Sequence, residues 1–359
     1  MRGVVWDGGR LEVTDALAVR PPDRGEARVR VLASGICHSD LNMMLPGMVR
    51  TPVVLGHEAA GVVDELGEGV ENLRVGDAVM VSSQTPCLQC RECVKARYTN
   101  CDDAFGMNPG QPFSLRGQPV YSFSNCSSFA GQIVVKATQL FKTGTLPASS
   151  AALIGCAVST GYNSAVRLGE VTPGDTVAVI GIGGIGVNAI QGARIAGAGR
   201  IIAVDIHSGK AATARQFGAS HFLGIERTST VEDLVPRVRE AAGGALDVAI
   251  ECSGAPLAVQ LALQAPKRGG TCVLIGMPRP GTKAHFDVLD FTFGRKIVAA
   301  LNAATNPFDD FPALIELAAK GAIDLASQVT RIWPLGEIEA AIKALESGEV
   351  TRAVLDHTR

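Results

Sequence analysis

Along the first third of the chain, apolar and polar residues alternate in short runs, as in Ala27-Arg28-Val29-Arg30-Val31-Leu32, with breaks at Gly61, Gly67, Gly69 and Gly76. A period of two puts successive side chains on opposite faces of a strand, so this part predicts short antiparallel strands. Pro52-Val53-Val54-Leu55-Gly56 and Ala59-Ala60-Gly61-Val62-Val63 read as two buried strands around a tight Gly-His-Glu link. From Pro86 to about Pro119 the periodicity fades and Pro, Gly and Cys dominate. That texture predicts a segment that takes its shape from a metal.

The pattern changes near Ser159. Thr176-Val177-Ala178-Val179-Ile180 is a β-branched run, followed by glycines and a helical stretch at 187–196. Strands at 201–205, 247–251 and 271–276 and a helix at 211–217 continue the series. Apolar strands separated by helices predict an α/β fold with a doubly wound parallel sheet covered on both faces. Past about Asn302, helical stretches at 311–320 and 337–347 precede a last strand at 352–355.

With 359 residues the chain exceeds one ordinary core. The expected division is a mostly β domain at 1–157 plus 303–359, with an α/β domain at 158–302 inserted in it. A hydrophobic share of 47% is enough for both cores, and a net charge of -2 without charged tails gives nothing to attract nucleic acid or a membrane. The N-terminus lacks the apolar core of a signal peptide, so the expected location is the cytoplasm. There a reducing milieu keeps the nine cysteines as thiols, and metal ligation is their leading use.

Four of them lie close together as Cys87-x2-Cys90-x2-Cys93-x7-Cys101. Four thiolates around one tetrahedral ion leave no open position, which is the property of a structural zinc site. An iron-sulfur cluster is the competing use, but the run lacks the cysteine-proline ending of ferredoxin spacing. Gly181-x-Gly183-x-x-Gly186 follows the strand at 176–180 and opens a helix, the setting in which glycines let a pyrophosphate approach a helix N-terminus. Asp205 ends the next strand, 19 residues after Gly186. Its carboxylate suits the ribose hydroxyls of NAD and repels a 2′-phosphate.

Cys37, His57 and Cys156 are three further candidate ligands, well separated in sequence. Two thiolates and an imidazole would leave a fourth zinc position for water or an alcohol. Taken alone, each is more often a packed thiol or a hydrogen-bonded histidine than a ligand. The set Gly35-Ile36-Cys37-His38-Ser39-Asp40, Gly56-His57-Glu58-Ala59-Ala60-Gly61, the four-cysteine loop and Gly155-Cys156 through Gly186 resembles the zinc-containing medium-chain alcohol dehydrogenases, in the same order and over nearly the whole chain.

The resemblance implies a GroES-like catalytic domain, two zincs per chain and NAD. It makes Cys37, His57 and Cys156 the catalytic zinc ligands, with Glu58 nearby and Asp40 orienting His57. It makes Ser39 the acceptor of the substrate proton. His38 and Arg352 would neutralise the pyrophosphate, Lys210 would assist Asp205, and Thr160 would lie by the nicotinamide, near Met277. Ser83 and Phe123 would line the substrate pocket. Zinc and nicotinamide would meet between the two domains. The chain departs from the family where many members carry a relay histidine, since that position is Asn42, which is no base at neutral pH.

The expected reaction is reversible hydride transfer between a primary or secondary alcohol and NAD. A thiol-dependent formaldehyde dehydrogenase of the same family and a non-catalytic zinc- and nucleotide-binding scaffold are the alternatives. The segment from Cys101 to Phe129 resembles a loop kept in dimeric members, so a homodimer is expected.

Overall fold

Eleven residues form the longest strand, Glu26–Ile36, and its two edges organise the sheet around it. One edge pairs antiparallel with Glu58–Leu66; the other is shared by Gln132–Lys136 along its first half and Arg352–Asp356 along its last residues. The full order is Leu140–Lys142, Ala78–Val81, Glu58–Leu66, Glu26–Ile36, Arg352–Asp356 and Val329–Pro334, with Gln132–Lys136 beside the long strand. The computed structural model describes residues 1–106 and 109–359. These fall into two compact units, Met1–Cys156 with Asn306–Arg359, and Ala157–Thr305. Val29, Val31, Ile36, Phe129, Ile133 and Leu355 lie in the core of the first unit.

The second unit carries six parallel strands in the order His221–Gly224, Arg200–Asp205, Thr176–Ile180, Val248–Glu251, Thr271–Leu274 and Lys296–Val298. Numbered along the chain this is 3-2-1-4-5-6, the doubly wound dinucleotide-binding arrangement. The β-branched runs reflect burial on both faces. Val177 and Val179 pack on one side with Val187 and Ile190, whereas Ala178 and Ile180 pack on the other with Leu234, Val238 and Leu261.

Three sequence expectations change. Pro52–Gly56 is buried but is not a strand: only Val53 makes bridges, to Trp6 and Tyr121, while Leu55 and Gly56 accept from Phe129 and Ser128. Its backbone groups are satisfied by separate segments, so no continuous ladder forms. The Pro86–Pro119 region contains a short helix, Arg91–Val94, and a strand, Phe113–Leu115, besides its loops. The strand Val329–Pro334 had no signal, because it is a largely exposed edge with no alternation. Among the described residues no helix is long and apolar enough to cross a membrane.

Candidate active site

Strand register gathers the side chains that matter. Gly35 pairs with Glu58, Ile36 with Ala353, and Ala59 with Val81, so Cys37, Glu58 and Arg352 emerge at one end of one sheet. Gly155 reaches the same place because it has no side chain, as a Cβ there would stand 2.8 Å from the Val81 carbonyl oxygen. Cys156 follows it. Gly35 is equally constrained: a Cβ would fall 1.9 Å from Glu58 Oε2.

The resulting group is Cys37, His57, Glu58 and Cys156, with one potential ligand atom from each lying within 4.8 Å of all the others. His57 and Glu58 are buried and the two thiols partly so. Asp40 is fully buried in the helix His38–Met43, and its Oδ1 lies 2.8 Å from His57 Nδ1 while its Oδ2 accepts from the Cys37 backbone N–H at 3.0 Å. This pins the imidazole by one nitrogen and leaves Nε2 facing the thiols, the arrangement a metal-binding histidine needs. Ser39 Oγ stands 3.3 Å from that Nε2, and the Phe123 ring meets the imidazole edge-on at 5.9 Å. The donor set therefore fits zinc with an open position.

The charges agree with a cation there. Cys37 is held well below the usual thiol range, first because Cys156 donates to its thiolate and then through His57. Cys156 moves well up, first as the donor in that bond and then through burial; a bound zinc ion would favour the thiolate form of both. Burial disfavours protonated His57, but Asp40 and Cys37 outweigh it and raise its pKa. Burial also raises Glu58, opposed by Arg352, which makes a short ion pair with Glu58 Oε2; the other carboxylate oxygen is buried without a partner.

The second group is Cys87, Cys90, Cys93 and Cys101. Cys87 Sγ and Cys93 Sγ are 3.9 Å apart, close to the ~3.8 Å edge of a tetrahedron with 2.3 Å bonds. Backbone N–H groups of Cys87, Cys90 and Cys93 donate to Cys101, Cys87 and Cys90 sulfurs at 3.4, 3.3 and 3.5 Å. Such donors stabilise thiolates, and the backbone N–H groups of Gln89 and then Cys90 hold Cys87 down at about 7.

In the other unit, Gly181 (φ +94) leads into Gly183 at the N-cap of the helix Gly184–Ile195. A Cβ on Gly186 would sit 2.0 Å from the Gly181 carbonyl, whereas one on Gly183 would meet nothing within 4 Å. The open side at Gly183 is where a phosphate could approach the helix end. Asp205 accepts from Ile182 N–H at 2.7 Å and His207 N–H at 2.8 Å. Burial lowers the Lys210 pKa, with Asp205 opposing it. Beside this loop, Glu251 Oε1 accepts from Ser253 N–H, Ser253 Oγ–H and Gly254 N–H, each at 2.7 Å.

The sequence-derived residues thus fall into three places. Cys37, Ser39, Asp40, His57, Glu58, Cys156 and Arg352 form one cluster and the four cysteines another. Gly181, Gly183, Gly186, Asp205 and Lys210 surround the nucleotide loop. Thr160 is buried and donates to Asn302 Oδ1, as does Ser159 at 3.1 Å. His38 is exposed. Ser83 is buried and Met277 is 44% exposed. Arg352, assigned to the pyrophosphate by resemblance, is buried against Glu58. Asn302 and Gln84 carried no sequence signal, since single buried amides leave no mark on periodicity or spacing.

Comparison with known proteins agrees with this geometry. A model described as "Alcohol dehydrogenase GroES-like domain" matches residues 23–147, and "Zinc-binding dehydrogenase" matches 184–320. The chain is 30% identical to "Alcohol dehydrogenase 1" of Pisum sativum over 98% of this chain and 95% of that one. It is 32% identical to "Probable S-(hydroxymethyl)glutathione dehydrogenase 1" of Schizosaccharomyces pombe, over 98% and 96%. The solved benzyl alcohol dehydrogenase of Acinetobacter calcoaceticus superposes with a TM-score of 0.90 at 28% identity, covering 99% and 98% of the two chains. With a GroES-like fold, a Rossmann fold and these relatives, the chain belongs to the zinc-dependent medium-chain alcohol dehydrogenase family.

Proposed function

We propose that this protein transfers hydride reversibly between a primary or secondary alcohol and NAD, using one zinc at Cys37, His57 and Cys156 and a second, structural zinc at Cys87, Cys90, Cys93 and Cys101. The observation that carries the reading is the Cys37, His57, Glu58 and Cys156 group with Asp40 on the far nitrogen of His57. When bound, zinc supplies polarisation of the alcohol oxygen and NAD supplies the hydride acceptor.

The remaining roles belong to the chain itself. Asp40 fixes the imidazole, and Ser39 Oγ takes the hydroxyl proton. With Asn42 in place of a histidine, that proton leaves through water or the cofactor ribose. Glu58 balances Arg352 and has a free oxygen that can approach the metal during ligand exchange. His38 and Arg352 supply positive charge for the pyrophosphate, Thr160 contacts the nicotinamide, and Gly181, Gly183 and Gly186 admit the phosphates. Asp205 with Lys210 holds the adenosine ribose. In this reading 158–302 is the NAD domain, and 1–157 with 303–359 the catalytic one. None of the nine cysteines is disulfide-bonded, in keeping with a cytoplasmic enzyme, and a homodimer is the proposed assembly.

A thiol adduct of formaldehyde is the second substrate reading, favoured by the name of the fission-yeast relative. The deciding experiment measures zinc content and turnover of an alcohol and aldehyde panel, plus S-(hydroxymethyl)glutathione, with NAD and NADP. Two zincs per chain and alcohol turnover at least about tenfold better with NAD are expected. One zinc, exclusive use of the thiol adduct, or a clear preference for NADP would each overturn its part of the reading.

A further inference from the structure

Gln84 is 2% exposed, and neither its Oε1 nor its Nε2 has a hydrogen-bond partner among the described residues. A buried primary amide has two donors and an acceptor to satisfy. Leaving all of them unmet is costly, and native interiors rarely do so. A side chain in this state is waiting for a partner that the chain itself does not provide.

Its position suggests which partner. Gln84 lies three residues beyond Val81, whose carbonyl is approached by Gly155 and whose strand position pairs with Ala59. Those two residues adjoin Cys156 and Glu58, and three residues of chain span at most about 11 Å. A second tie runs through the next residue. Thr85 Oγ1 donates to the Asp103 carbonyl at 3.0 Å and accepts from Asn125 Nδ2–H, and Asn125 belongs to the turn whose Phe123 packs on His57. The backbone before Gln84 is equally fixed, with Gln84 N–H donating to Ser82 Oγ at 2.9 Å. An unpaired amide is thus held on a segment whose neighbours Val81 and Thr85 contact residues beside the metal group.

We propose that the Gln84 carboxamide recognises a second, neutral hydroxyl on the substrate, so that the enzyme favours alcohols bearing a further hydroxyl over plain alkanols. This rests on the alcohol dehydrogenase reading above. A hydroxyl both donates and accepts, matching an amide that offers both, and an uncharged amide has no counter-charge for a carboxylate or an ammonium group. A site built to hydrogen-bond a substrate hydroxyl rejects an analogue without it far more strongly than an apolar pocket does.

The test compares kcat/KM for butan-1-ol with that for the three butanediols that share its primary hydroxyl at C1, namely the 1,2, 1,3 and 1,4 isomers, the last of which carries a primary hydroxyl at each end. It uses zinc-loaded wild type and Gln84→Met, with whichever nicotinamide cofactor supports turnover. At least one diol should exceed butan-1-ol by about tenfold or more in the wild type. The variant should lose that advantage, while its butan-1-ol value changes less than about twofold and its substrate-free melting temperature does not fall. No diol preference in the wild type overturns the proposal even if the variant fails to fold. So does an equal loss on all four alcohols, or a lower melting temperature with the preference intact, which would mean that the amide holds a buried water. Absence of turnover with every alcohol in the wild type instead removes the underlying reading and the proposal with it.

Discussion

At the scale of single residues, polar groups enclosed without full pairing decide where the chain is sensitive. His357 is one. Its Nε2 lies 2.9 Å from Ser34 Oγ, which itself donates to the Ser128 carbonyl at 2.6 Å. The serine must therefore accept from the ring, and Nδ1 is left shielded and unpartnered. Burial pushes the imidazole down to about 4 from 6.5, with Asp356 opposing. The unfolded chain takes up this proton first as pH falls. The neutral ring costs nothing above about pH 6.5, and stability is lost between there and about pH 4. By pH 5.5 the loss should be about 1.4 kcal/mol. We expect His357→Gln, which keeps a donor for Ser34, to show a smaller drop in melting temperature from pH 7.5 to pH 5.5 than the wild type. Equal drops would mean that the ring is already protonated or hydrated in the fold. Sequence could single out Cys37, His57 and Cys156 only through the resemblance of their surrounding motifs to a known family, since each alone has an ordinary structural use. It could not single out His357 or Gln84, whose importance is a missing partner, nor show that Arg352 pairs with Glu58.

At the scale of elements, legibility depended on how evenly burial was distributed. Thr176–Ile180 is buried on both faces and reads as a continuous apolar run, so its bounds were visible in sequence. The helix Val231–Ala241 leaves a weaker mark on the sequence: its buried Val231, Leu234 and Val238 follow helical spacing, but Pro236 interrupts the pattern. Pro52–Gly56 misled in the opposite direction, since full burial came without a ladder. The nucleotide loop combines both kinds of constraint, and two glycines three residues apart should separate them experimentally. Gly183 has ordinary backbone angles (φ -96, ψ -160) and open space around it, so Gly183→Ala should leave the melting temperature unchanged. It should nevertheless weaken NAD binding by about tenfold if phosphate occupies that space. Gly186→Ala drives a methyl into the Gly181 carbonyl and should cost about 1–3 kcal/mol of stability. Titrating NAD by fluorescence alongside thermal melts distinguishes the two. Wild-type affinity in Gly183→Ala would place the pyrophosphate elsewhere.

For the whole molecule, the proposed homodimer draws support from the second unit rather than from the 101–129 segment that suggested it, of which Met107 and Asn108 lie outside the described residues. Lys296–Val298 ends the parallel sheet and pairs on one side only, with Thr271–Leu274. An unpaired edge is a template for another strand unless it is blunted. Nearby in sequence, Val288, Leu289, Phe293 and Leu301 are 70%, 57%, 47% and 52% exposed. Apolar side chains concentrated beside an open edge mark an interaction surface more readily than scattered ones do. A symmetric contact through this surface would satisfy the edge and cover the apolar groups in both copies at once. Light scattering at micromolar concentration should give twice the 37.3 kDa chain mass, and Val288→Glu combined with Leu289→Glu should return it to a single chain mass without lowering the melting temperature. A wild-type monomer would remove the dimer altogether. A variant that stays dimeric would move the contact away from this edge, leaving the 101–129 segment as the surface to test next.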